Sequence, residues 1–155
     1  MNPQRPAAQV RLAETDEQID ACFGVMHELR PHLEAGTFRA RIRSMQQAGY
    51  RMAYVESGGS VAGVAGYRYM DMLHNGWSLY VDDLVVSESV RATGLGTVLI
   101  DWLREEAVSN DCDTLHLDSG VQRGRAHKFY FDRGFHISSF HFTKRLKTRH
   151  TAGRA

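Results

Sequence analysis

The run Arg91-Ala92-Thr93-Gly94-Leu95-Gly96-Thr97 carries the most legible chemistry in this chain. It lies between a strand-like stretch, Leu79 to Val86, and a helix-like stretch, Val98 to Ala107. A turn that opens a helix leaves several backbone N–H groups without partners, and the helix dipole adds positive potential at the same end. Such a mouth binds phosphate. Gly94 and Gly96 lack a Cβ, so an anion can come close to the main chain there. Arg91 adds a permanent charge. The pattern predicts a phosphorylated ligand. The loop falls late in the chain and lacks the full Gly-x-Gly-x-x-Gly pattern, which disfavours a dinucleotide site. No Gly-Lys-Ser/Thr follows, which excludes a Walker loop.

The elements that must position this loop follow from length and periodicity. A chain of 155 residues suits one domain with one core. Its 43% hydrophobic and 24% charged content is ordinary for a globular protein, and a net charge of +1 gives no general pull toward nucleic acid. Cys22 and Cys112 form neither a disulfide framework nor a metal-ligand cluster, and the expected compartment is the cytoplasm. No apolar run approaches the ~20 residues of a membrane span. Residues 1–8 read as a flexible N-terminus without signal-peptide character, residues 9–146 as a single domain, and residues 147–155 as a disordered basic tail.

Along that domain, Gln9 to Ala13 alternates like a short strand. Thr15 or Asp16 can cap a helix whose apolar residues Ile19, Phe23, Met26 and Leu29 recur at helical spacing, and Pro31 should stop it near Leu29. A second helix is predicted over Thr37 to Ala48. Two strands, Arg51 to Glu56 and Val61 to Met70, flank the turn Ser57-Gly58-Gly59-Ser60. A long strand covers Trp77 to Val86, followed by the loop and its helix. Thr114 to Asp118 is a strand, Gly124 to Arg133 a short helix ended by Gly134, and His136 to Leu146 alternates as a final strand. An α/β mixed sheet with helices on both faces would bury this pattern.

The chain resembles the GNAT superfamily of acyl-CoA-dependent N-acetyltransferases. Two segments carry the likeness: Arg91-x-x-Gly94-x-Gly96 after an Asp-Leu-Val-Val strand, and Ala126-His127-Lys128-Phe129-Tyr130-Phe131-Asp132-Arg133-Gly134-Phe135. The resemblance covers about Val10 to Leu146. It implies a central twisted mixed sheet with two parallel strands, Trp77–Val86 and Thr114–Asp118, splayed at the cofactor site. It implies acetyl-CoA as co-substrate and no metal. The pyrophosphate would sit on the N–H groups of Ala92, Thr93, Gly94, Leu95, Gly96 and Thr97 beside Arg91. The pantetheine arm would pair with main-chain groups of Leu84, Val85 and Val86, and an N–H near Val85 would meet the thioester oxygen. Arg123 and Ala126 belong to the same cofactor set. Many family members carry Asn where this chain has Arg123, so that hydrogen bonding is lost, and Arg123 or Arg125 either meets a CoA phosphate or is solvated.

Transfer to an amine requires a neutral nucleophile, and an alkyl ammonium titrates near ~10.4. The family position of Tyr130 makes it the expected acid toward the departing thiolate, against the plainer reading of a core tyrosine. Asp82 and Asp83 are the candidate bases. Neighbouring strand residues point to opposite faces, so one of the two should face the cleft and act through a water. His116 reads as a structural histidine, and His136 and His141 do not suggest a metal pair. The acceptor pocket is expected from the region of Glu28, Arg30 and His32, with Asp71 and Trp77 joining from beyond the second hairpin strand. Glu28 and Asp71 would attract a cation, whereas Arg30 would hold a carboxylate or phosphate. The expected partner is a small-molecule primary amine, with no nucleic acid and no membrane, and with a homodimer as the oligomeric form to consider. Two other readings stay open: a protein lysine or N-terminal acetyltransferase, and a catalytically silent CoA-binding regulatory module.

Overall fold

A computed structural model describes residues 8–147 of the chain. The expectations for the first seven residues and for the tail beyond Lys147 lie outside the described residues. In chain order the elements are β1 (Val10–Leu12), α1 (Asp16–Leu29), α2 (Ala35–Gln47), β2 (Arg51–Ser57), β3 (Ser60–Met72), β4 (Gly76–Val86), a 3-10 turn (Glu88–Val90), α3 (Leu95–Ser109), β5 (Thr114–Leu117) and α4 (Gly124–Phe131). Two compact units divide the chain at the His116–Leu117 boundary.

The sheet runs in the order β1-β2-β3-β4-β5. The first three pairings are antiparallel. β4 and β5 are neighbours joined through helix α3 rather than a hairpin, the kind of crossover that parallel strands need, and the sheet is mixed. The β2–β3 hairpin turns at Gly58 and Gly59, with φ of 62° and 82°. Both central residues need positive φ in the turn that matches strand twist, and only glycine takes it without cost.

Helices cover both faces. Ile19, Cys22, Val25 and Met26 of α1 and Phe38 and Ile42 of α2 form one core cluster with Tyr50, Met52, Val64 and Val85 of the sheet. On the opposite face, a Cβ on Gly63 of β3 would stand 2.9 Å from a methyl group of Leu99 in α3, so the helix packs closely there. α1 starts at Thr15, whose Oγ1 accepts from the Gln18 amide at 3.2 Å while Gln18 Oε1 accepts from the Thr15 amide at 2.9 Å. This reciprocal pair is a capping box. α1 ends at Leu29, two residues before Pro31, as proline requires.

Two differences from the sequence reading have physical reasons. α3 begins at Leu95, three residues before its apolar periodicity, because Gly94 takes the cap position at φ 85°. The segment His136–Leu146 forms no strand, and Ile137, Phe140 and Phe142 are exposed. Alternation shows that a segment suits a pleated surface, but a strand also needs a ladder partner.

Candidate active site

The glycine loop joins β4 to α3. β4 leaves the sheet at Val86, and the Ser87 amide is held by the Ala62 carbonyl at 2.8 Å. The 3-10 turn then closes with the Val90 amide on Ser87 O and the Thr93 hydroxyl on Val90 O. Among the described residues, the amides of Ala92, Thr93, Gly94, Leu95 and Gly96 have no acceptor, and the first loop-to-helix bond runs from the Val98 amide to Gly94 O. Thr97 lies in the same first turn of α3. Ala92 stands at φ 63°, a left-handed conformation that costs an alanine energy, and such outliers concentrate at ligand clamps. A Cβ on Gly94 would meet nothing within 4 Å, so the space over its main chain is open. Arg91 lies beside this mouth but pairs with Glu88 at 3.2 Å, both exposed. An exposed pair of this kind is weak and can exchange for a phosphate.

The carboxylates sit just upstream in β4. Gly66 of β3 faces Asp83 and Tyr67 faces Val81, so Asp82 is the extra residue of a β-bulge. Strict alternation would send Asp82 and Asp83 to opposite faces; the bulge overrides it, and both lie on the face covered by α1. Asp83 is two residues from Val85 of the α1-side core. Asp82 accepts from Arg68 Nε at 3.0 and 3.2 Å and pairs with Arg68 Nη2 at 3.0 Å. Asp83 Oδ1 accepts from Arg30 Nε at 3.0 Å, and Asp83 Oδ2 accepts from the Tyr50 hydroxyl at 3.0 Å. Burial pushes the Asp82 carboxyl above its ordinary range, Arg68 pulls it back, and the charge of Asp83 pushes it up again. Tyr50 is held far above its ordinary value, first by burial and then by Asp83, so it stays a proton donor in this contact.

The strand edge beyond the bulge suits an extended ligand. Leu84, Val85 and Val86 pair with Ala65, Val64 and Gly63 on the β3 side. β5 has four residues against eleven for β4, and its His116 stands beside Ser78 at 3.2 Å and the Tyr80 ring at 5.1 Å. β4 from Asp82 to Val86 therefore runs on past the level of His116. His116 has the structural contacts expected of it.

The expected acceptor residues separate. The Glu28 carboxylate accepts from the Ser87 hydroxyl and from the Glu88 amide, each at 2.8 Å. It ties the last turn of α1 to the start of the loop. Arg30, just beyond that turn, holds Asp83 and the Asp82 carbonyl. His32 is exposed between α1 and α2. Asp71 and Trp77 are cross-strand partners near the β3–β4 hairpin. Trp77 stacks on Tyr69 at 5.6 Å and gives its indole N–H to Asn110 O. Tyr69 in turn donates to Glu106 of α3. Asp71 and Trp77 thus belong to the α3 face and do not join the carboxylate pair.

In the second unit, Tyr130 lies on α4 between the rings of Phe129 at 5.4 Å and Phe135 at 5.7 Å. Burial raises its phenol above the ordinary value, and Arg123 lowers it by less. It is a protonated hydroxyl at neutral pH, as a proton donor must be. Arg123 is exposed and Ala126 lies in the first turn of α4. Gly134, at φ 81°, ends the helix region and lets the Phe135 amide return to Tyr130 O. Arg68, Tyr50 and Gly66 were not singled out from sequence. The signal for one of them was present, since an isolated glycine inside a strand marks a bulge or a close approach. Among the described residues no group of three or more His, Cys, Asp or Glu could hold a metal, and no helix is long and apolar enough to cross a membrane.

The Acetyltransferase (GNAT) family profile matches residues 13–135. An uncharacterized N-acetyltransferase of Bacillus subtilis, YhdJ, is 31% identical over 130 residues, covering 83% of this chain and 92% of that protein. The aminoalkylphosphonate N-acetyltransferase of Salmonella typhimurium is 28% identical over 145 residues, covering 91% and 93%. Aminoglycoside N-acetyltransferase AAC(6')-Iy, solved with CoA, shares the fold at TM-score 0.81 and 16% identity, over 96% of this chain and all of the other. An acetyltransferase of Trypanosoma brucei does so at TM-score 0.73 and 24% identity, over 90% and 99%. A profile matched across both units, on a chain carrying the phosphate loop and the Tyr130 segment, places this protein in the GNAT acetyltransferase family.

Proposed function

We propose that this protein transfers the acetyl group of acetyl-CoA to a primary amine of a small molecule, by direct attack within a ternary complex. One observation carries the reading: five consecutive main-chain amides without acceptors open α3, directly downstream of a bulge that presents two carboxylates. Acetyl-CoA supplies the activated acyl group. The amides of residues 92–97 and the open space over Gly94 fit its diphosphate, and Arg91 can leave Glu88 for it. The main chain of Leu84 to Val86 suits the pantetheine arm, and the family resemblance assigns Arg123 and Ala126 of the second unit to the cofactor.

The protein must strip a proton from the amine and supply one to the departing thiolate. Asp82 takes the first role through a water, since burial raises its proton affinity toward that of a working base. Asp83, tied to Arg30 and Tyr50, holds the pair in place and attracts the ammonium form. Tyr130 takes the second role, supported by its raised phenol and by the family segment around it. The relative that acts on aminoalkylphosphonates supports a small amine as acceptor.

The test is CoA release, read with a thiol reagent, over a panel of small amines, amino acids, aminophosphonates and peptides. Turnover with a small amine is expected. Turnover only with peptides would replace the acceptor by a protein. Tight acetyl-CoA binding with no release for any amine would make the chain a regulatory module.

A further inference from the structure

Tyr50 follows α2 and directly precedes β2, and it is 2% exposed. It contacts Asp83 directly and Asp82 through Arg68. Its hydroxyl donates to Asp83 Oδ2, and its ring lies under the Arg68 guanidinium at 5.7 Å, the same guanidinium that binds Asp82. The hydroxyl can pass only because residue 66 has no side chain. A Cβ on Gly66 would stand 2.0 Å from Tyr50 Oη and 2.5 Å from the ring carbon that bears it. Gly66 does not occupy the left-handed region, so the backbone does not demand glycine here. Space for the phenol does. Gly66 is also the residue opposite Asp83 where the register shifts. Phenylalanine would fill the same core volume; the hydroxyl is needed only for Asp83.

We infer that Tyr50 is a positioning residue for acetyl transfer: through the notch left by Gly66 it fixes Asp83, and with it the bulge that presents Asp82. This rests on the acetyltransferase reading above. The charged and titratable groups facing the pair are Arg30 from the end of α1, Tyr50 itself, Arg68 from β3, and Tyr80 on β4, with His116 of β5 against Tyr80. Losing the hydroxyl leaves Asp83 with one side-chain donor and loosens the bulge that holds Asp82 against Arg68, and a weaker hold by Arg68 lets Asp82 take a proton at higher pH.

The experiment measures CoA release against pH for the wild type, Tyr50→Phe and Gly66→Ala, with the best amine found, together with acetyl-CoA affinity and melting temperature. For Tyr50→Phe, the acid limb of kcat moves to higher pH, and kcat below that limb falls about 3- to 10-fold, the effect of one lost hydrogen bond. Acetyl-CoA affinity does not change. Gly66→Ala gives the same displacement, because its methyl group evicts the hydroxyl. Should Gly66→Ala not fold, Tyr50→Phe decides alone, since it only removes an oxygen. A Tyr50→Phe variant with an unmoved limb and wild-type kcat overturns the inference, whatever its melting temperature. A wild type that releases no CoA with any amine instead overturns the underlying reading, and the positioning role falls with it.

Discussion

Asp82 and Asp83 show how far the meaning of a residue depends on its immediate neighbours. Each carboxylate has its own arginine, Arg68 for Asp82 and Arg30 for Asp83, and Tyr50 adds a third donor. Burial makes Asp82 hold a proton more readily, and Arg68 is the main opposing influence. The folded-state affinity is raised, so activity that needs the ionised form is lost as pH falls through that raised value. Arg68→Met removes the opposing charge and is expected to move the acid limb of the rate further toward neutral pH, read from kcat/KM profiles. Tyr130 makes a complementary prediction. Tyr130→Phe should lower kcat by on the order of 100-fold while leaving acetyl-CoA affinity intact, measured by stopped assays and calorimetric titration. An unchanged rate would remove the phenol from proton transfer.

At the level of elements, the last turn of α1 and the join between β4 and α3 act together. Glu28 fastens the loop entrance and Arg30 fastens the bulge, so one helix end braces both halves of the site. Of the residues read as an acceptor pocket from sequence, Glu28 and Arg30 make these brace contacts. The loop depends on Gly94. Its φ of 85° disfavours any side chain, and a carboxylate there would repel a diphosphate bound on the loop amides. Gly94→Glu is expected to abolish acetyl-CoA binding in a titration, through both bulk and repulsion. Retained affinity would move the cofactor to another surface.

The whole molecule holds this site by packing helices on both faces of a five-stranded sheet. Phe38 links α2 to α1 through an edge-on contact with Phe23 at 5.3 Å and is 2% exposed. Phe38→Ala should cost about 3–5 kcal/mol of stability, visible in denaturant unfolding. Because α1 carries Glu28 and leads directly into Arg30, the same variant should also weaken activity below its melting temperature. Much of this architecture could be read from the chain alone. Periodicity and punctuation located α1, α2, the Gly58-Gly59 hairpin, β4 and the glycine loop, because these depend on interactions within a few residues: a capping box, a proline, a positive-φ turn, a run of unpaired amides. Tertiary structure alone decided which face each carboxylate takes. One extra residue in β4 reverses the alternation, and only pairing with β3 reveals it. It likewise decided that Glu28 and Arg30 serve the fold, that Trp77 belongs to the opposite face, and that Tyr50 reaches Asp83 through the space Gly66 leaves. The Tyr50–Asp83 and Glu28–Glu88 contacts join residues 33 and 60 positions apart, where no local spacing rule can see them.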